Sequence, residues 1–97
     1  PFGPVIATDI DPEALTVRTR VNGRERQSYP VSDLILQPAL LVSLLSRGMT
    51  LSPGDLIACG TSTGVGPLPK EGVVEVEING IGVLRTQCRS SSIHGAA

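Results

Sequence analysis

Two Asn-Gly pairs, Asn22-Gly23 and Asn79-Gly80, each follow a run rich in β-branched residues. Both residues of such a pair accept φ > 0, which a two-residue hairpin turn requires. Before the first pair, Leu15, Val17, Thr19 and Val21 alternate with Thr16, Arg18, Arg20 and Asn22. A period of two marks a half-buried strand with one apolar and one polar face. Arg24 to Tyr29 returns as its partner, and its polar composition suits an exposed or edge position. Before the second pair, Val73 to Ile78 reads as a strand, and Ile81 to Arg85 comes back along it. Two β-hairpins therefore frame whatever else the chain does.

Between them lies one helix. Pro38 suits a first helical turn, and Leu40, Leu41, Leu44 and Leu45 recur on one helical face. Arg47 favours the helix C-terminus, and Gly48 stands where a left-handed cap is expected. Ser52-Pro53-Gly54-Asp55 is a tight turn, and Leu56 to Cys59 reads as a short buried strand. At the N-terminus, a loop over Pro1-Phe2-Gly3-Pro4 leads into a short strand at Val5-Ile6-Ala7, and Asp9 to Pro12 is a turn.

The fold class expected is mainly β with one short helix (α+β). With 97 residues there is room for one core. One Phe, one Tyr and no Trp leave that core to Val, Ile and Leu. A net charge of −1, with both signs interspersed, gives no basic stripe for nucleic acid or an anionic membrane. No apolar run approaches the roughly 20 residues of a membrane span, and no signal peptide opens the chain. Cys59 and Cys88 lack a Cys-x-x-Cys spacing and read as buried reduced thiols of a cytoplasmic protein. Ser90 to Ala97 is small and polar and reads as a flexible tail, with His94 solvated within it.

Chemistry concentrates at Gly60-Thr61-Ser62-Thr63-Gly64-Val65-Gly66. A P-loop would place a Lys after the last glycine, but Pro67 stands there. Pro67-Leu68-Pro69 also blocks the helix that a dinucleotide fingerprint needs. Two readings stay open: a purely structural loop, or a clamp in which backbone N–H groups and the Thr61 hydroxyl hold a small carboxylate. Glu75 and Glu77 share a strand face. They could bind a divalent metal or form an ordinary polar face, paired with Arg18 and Arg20.

Several linked stretches resemble the fumarylacetoacetate hydrolase family. Gly3-Pro4-Val5-Ile6 and Arg18-Thr19-Arg20-Val21-Asn22-Gly23 are similar to its Gly-Pro and Val-Asn-Gly segment. Ser32-Asp33-Leu34-Ile35 follows, and then Ser46-Arg47-Gly48-Met49-Thr50-Leu51-Ser52-Pro53-Gly54-Asp55-Leu56-Ile57 resembles the family's SRGMTLEPGDVI block. The glycine loop resembles GTPAGVG, and Val73 to Arg85 resembles VVEVEIEGIGTLRN. The family order is kept over residues 1–86.

The resemblance implies a mixed β-roll or sandwich of the family's C-terminal type. It also implies an Mg²⁺- or Mn²⁺-dependent enzyme for 2-oxo or 1,3-dicarbonyl acids. Members hydrolyse, decarboxylate, isomerise or hydrate such compounds, often in aromatic breakdown. By motif match Thr61 contacts substrate, Gly60 and Gly64 let the backbone approach, and Glu75 aligns with a glutamate that assists catalysis in some members. The family's metal ligands, two glutamates and an aspartate, lie upstream of the matched region, as does its active-site lysine. Residues 1–86 are therefore expected to be the C-terminal part of a catalytic domain, with 87–97 a flexible tail and no metal ligand in the chain. The missing N-terminal half, a companion chain or a second copy is expected to cover the strands, and the isolated residues are expected to be inactive. The alternative is a non-catalytic assembly module.

Overall fold

The computed structural model describes residues 1–89. Both hairpins form. The first joins β1 (Thr16–Val21) to β2 (Arg24–Pro30), and the second joins β3 (Glu71–Ile78) to β4 (Gly82–Arg89). β1 also pairs antiparallel with β3, Val17 opposite Ile78 and Val21 opposite Val74. One open antiparallel sheet results, in the order β2-β1-β3-β4. It is the mainly-β, one-helix architecture expected, with β2 at an edge.

The two turns differ. At the first, Asn22 (φ 52°) and Gly23 (φ 79°) both take positive φ. At the second, positive φ falls on Gly80 and Gly82 rather than Asn79. Both asparagines also tie the sheet together. Asn22 Oδ1 accepts the Val73 N–H at 2.9 Å, and Asn79 Oδ1 accepts the Thr16 N–H.

Register sorts the side chains by face. Direct partners share a face, and neighbours along a strand alternate. Val17, Thr19, Val21, Val74, Val76, Ile78, Leu84 and Thr86 line one face, with Gln27 and Tyr29 from β2. Arg18, Arg20, Glu75, Glu77 and Arg85 line the other. The N-terminal segment at Gly3–Val5 and the stretch from Gly64 to Leu68 lie against the first face.

Helix α1 (Pro38–Gly48) starts at its proline as expected. Its end is different. Gly48 lies inside the helix without a left-handed conformation, and the chain leaves through Met49 in an extended one (φ −153°). The bond from Met49 N–H to Leu45 O closes the last turn, so no glycine cap is required. Ser52 to Asp55 turns as read, with Asp55 Oδ2 accepting the Ser52 N–H at 2.7 Å.

Two expected strands are absent. Val5–Ala7 and Leu56–Cys59 are irregular, and Ile6 (88% exposed) and Leu56 (70%) face solvent. A short apolar run becomes a strand only where an edge is there to pair it, and neither run meets one here. Cys59 is consequently exposed rather than buried, while Cys88 is half-buried. β4 continues to Arg89, so Gln87, Cys88 and Arg89 belong to the sheet and not to the tail. The rest of that expected tail, His94 included, lies outside the described residues.

Apolar burial is thin. Among the described residues only Val21 (6% exposed) and Val31 (8%) are buried hydrophobics. No residue of α1 is buried. Full burial of one Val, Leu or Ile is worth about 1.5–3 kcal/mol, and little of that gain is realised here. No helix of the described residues is long and apolar enough to cross a membrane.

Candidate functional site: the glycine loop on the sheet edge

The segment after α1 lies against β2, the edge strand, which grips it at two points. A bulge between Thr19 and Arg20 makes Arg26 the extra residue, since Thr19 pairs with Gln27 and Arg20 with Glu25. A bulge bends its strand and re-aims its side chains. Arg26 Nη1 donates to the Pro67 carbonyl at 3.1 Å. Gln27 Nε2 donates to Thr61 Oγ1 at 2.7 Å and to the Ser62 carbonyl at 3.0 Å.

The glycines have separate reasons to be glycine. Gly60 holds φ +98° with open space where a Cβ would stand, so conformation alone selects it. Gly64 holds φ +102°, and a Cβ there would collide with the Arg26 carbonyl oxygen. At Gly66 a Cβ would stand 3.2 Å from Arg26 Nη1. The last two glycines thus let the loop lie on β2.

Ala58 to Thr63 form one wall of an open groove of about 670 Å³. Tyr29, Asp33 to Leu36, and Leu41 of α1 form the other. Thr61 lines this groove while its oxygen is held by Gln27. No Lys, Arg or His of the described residues lines it. The groove therefore offers a ligand hydroxyls, backbone and the Asp33 carboxylate, and any anion bound there needs a positive charge from elsewhere.

Glu75 lies elsewhere. Register places it on the Arg20 face, whereas the loop is bound through Gln27 on the opposite face. Glu75 Oε1 is 3.7 Å from Arg20 Nε, and Glu77 Oε1 is 2.7 Å from Arg20 Nη1. The short bond from Arg20, reinforced by its charge and that of Arg18, holds the Glu77 carboxyl below its ordinary range. The Arg20 guanidinium is raised, first by the same bond. Gly60, Thr61 and Gly64 are thus brought together, and the sheet separates them from Glu75.

No group of three or more His, Cys, Asp or Glu side chains able to hold a metal comes together among the described residues. Of the Glu75/Glu77 pair, the cross-strand reading with Arg20 is the one observed. Sequence reading did not single out Gln27 or Arg26. The parity of β2 carried a signal, because Gln27 shares the inward phase with Tyr29, an odd place for a polar residue on an edge strand.

The chain belongs to the fumarylacetoacetate hydrolase family: the model of its C-terminal domain, Fumarylacetoacetate (FAA) hydrolase C-terminal, matches residues 1–89. It is 42% identical over 97 residues to oxaloacetate tautomerase YisK of Bacillus subtilis, covering 90% of this chain and 32% of that protein. The fumarylacetoacetate hydrolase structure from psychrophilic Exiguobacterium antarcticum superposes with a TM-score of 0.88 at 42% identity. That match covers 94% of this chain and 36% of the other. Maleylpyruvate hydrolase from Sphingobium sp. SYK-6, solved with manganese(II) and pyruvate, matches with a TM-score of 0.87 at 33% identity. It covers 93% of this chain and 35% of that one. Further matching proteins are named as isomerases and as bifunctional isomerase/decarboxylases. The chain spans about a third of the length of several curated relatives it matches, 34% and 36% for two archaeal ones, and 17–23% of the bifunctional isomerase/decarboxylases.

Proposed function

We propose that this chain supplies the substrate-carboxylate wall of a metal-dependent enzyme acting on 2-oxo or 1,3-dicarbonyl acids. Thr61 is the hydroxyl contact, and Gly60 and Gly64 shape the loop that presents it. The observation that carries the reading is the Thr61 oxygen, pinned from behind by Gln27 at 2.7 Å while the residue lines the groove. A pinned hydroxyl costs a ligand less ordering than a free one. The manganese- and pyruvate-bound maleylpyruvate hydrolase supports the substrate class.

The described residues do not themselves fit a metal, since no acidic cluster forms. Mg²⁺ or Mn²⁺, and with it the positive charge the groove lacks, would be held by residues outside them. A substrate at Thr61 lies across the sheet from Glu75, so the contribution of this chain is binding at the loop, with Glu75 engaged by Arg20. Residues 1–89 form the C-terminal part of the catalytic unit, working in the cytoplasm with an N-terminal portion and in an oligomer.

An assay with oxaloacetate and an acylpyruvate, in Mn²⁺ or Mg²⁺, tests this. The complete protein carrying this segment should turn over at least one of them, and the isolated 97 residues neither. An inactive complete protein would favour an assembly module instead.

A further inference from the structure

Gln27 makes a choice about the Thr61 proton. Its terminal group faces four oxygens: Thr61 Oγ1 at 2.7 Å, the Ser62 carbonyl at 3.0 Å, and Ser62 Oγ and the Thr63 carbonyl at 3.4 Å each. Carbonyl oxygens only accept, so the NH₂ end must point at the loop. Two hydrogens serve the two nearest oxygens, and Thr61 Oγ1 is therefore an acceptor in this bond. Thr61 Oγ1 donates in no hydrogen bond among the described residues, so its own hydrogen is available to a ligand in the groove that Thr61 lines. A carboxylate offers acceptors only, so a hydroxyl that has already accepted and has a free hydrogen is its complement.

We infer that Gln27 is a positioning residue that fixes Thr61 as a hydrogen-bond donor to the substrate carboxylate. Gln27 touches no substrate itself and acts through the Thr61 hydroxyl. The inference rests on the carboxylate-wall reading above and deepens it. It also explains an inward-facing amide on an edge strand: an apolar side chain there would leave the Thr61 hydroxyl free to turn back and donate to a loop carbonyl.

A double-mutant cycle on pyruvate binding tests it, measured calorimetrically with Mn²⁺ on the complete protein. Thr61→Val tests the underlying reading, and unchanged affinity there removes both that reading and this inference. If Thr61→Val does weaken binding, Gln27→Met should cost about tenfold, the scale of one hydrogen bond to a charged group. In the Thr61→Val background the same change should cost almost nothing. An equal loss in both backgrounds would make Gln27 a general tether of the loop. No loss in either would make it a bystander. Both results overturn the inference while leaving Thr61 in place.

Gln27→Glu keeps the shape and tests whether a donor is needed at this position, while the double-mutant cycle separates positioning of Thr61 from tethering of the loop. Its carboxylate can only accept, so the Thr61 hydrogen turns inward and pyruvate is lost at neutral pH. As the pH falls toward about 4.3 the introduced carboxyl gains a proton and can donate again. Affinity relative to the unaltered protein at the same pH should then recover. A ratio that stays flat with pH would contradict the inference.

Discussion

Gly64 and Arg26 meet backbone to backbone, so closely that a Cβ on Gly64 would collide with the Arg26 carbonyl oxygen. Gly64→Ala must therefore either strain φ +102° or lift the loop from β2. Strain of that kind costs roughly 1–3 kcal/mol. We expect the loop to lift, weakening pyruvate binding in the complete protein. Gly60→Ala, with the same positive φ but open space, should weaken it less. Titration of both variants checks the order.

Asn22 serves the first turn by its φ of 52° and the sheet by its bond to Val73 N–H. Asn22→Gly keeps the first and deletes the second. The expected cost is about 1 kcal/mol, read as a shifted denaturation midpoint with an unchanged slope. No shift would mean that the bond adds nothing beyond the turn.

The Glu77 carboxyl is held below its ordinary value by Arg20. A group whose folded pKa is depressed stabilises the fold above its unfolded pKa. That contribution fades as pH falls through the depressed value. Because both side chains are partly exposed, the effect should be small and salt-sensitive. Glu77→Gln should flatten this part of the acid limb of the stability curve, and Glu77→Gln at neutral pH should cost less in high salt. An acid limb identical in the two proteins would show the pair to be energetically silent.

Phe2 (73% exposed), Ile35 (98%) and Val65 (75%) stand open along with Ile6 and Leu56. Where such side chains join into one patch they mark a contact to be made, and we propose that they do so here. The isolated residues should bind a hydrophobic dye and scatter light as more than one chain. A clean monomer without dye binding would count against the need for a covering partner.

The sheet was largely legible because turn chemistry and strand period are local. Asn22-Gly23 and Asn79-Gly80 fixed both hairpins, and Pro38 fixed the start of α1. The pairing of β1 with β3 was not legible as a register, although the charge rows at Arg18/Arg20 and Glu75/Glu77 pointed to it. Leu56–Cys59 misled because its apolar content is real, yet it pairs with no strand among the described residues. Thr61 was singled out by motif, and its contact with substrate is our proposal. Gln27 was not singled out because its bonds to Thr61 and Ser62 depend on where the loop lies against β2, and that is a property of the folded sheet.

We propose that the Thr61 hydroxyl binds the carboxylate of a 2-oxo acid. The most direct test is pyruvate affinity in the complete protein with Mn²⁺, compared among the unaltered protein, Thr61→Val and Thr61→Ser. Thr61→Val should lose about tenfold in affinity, as one charge-assisted hydrogen bond disappears, and Thr61→Ser should keep nearly all of it. Equal affinity in all three proteins would contradict it.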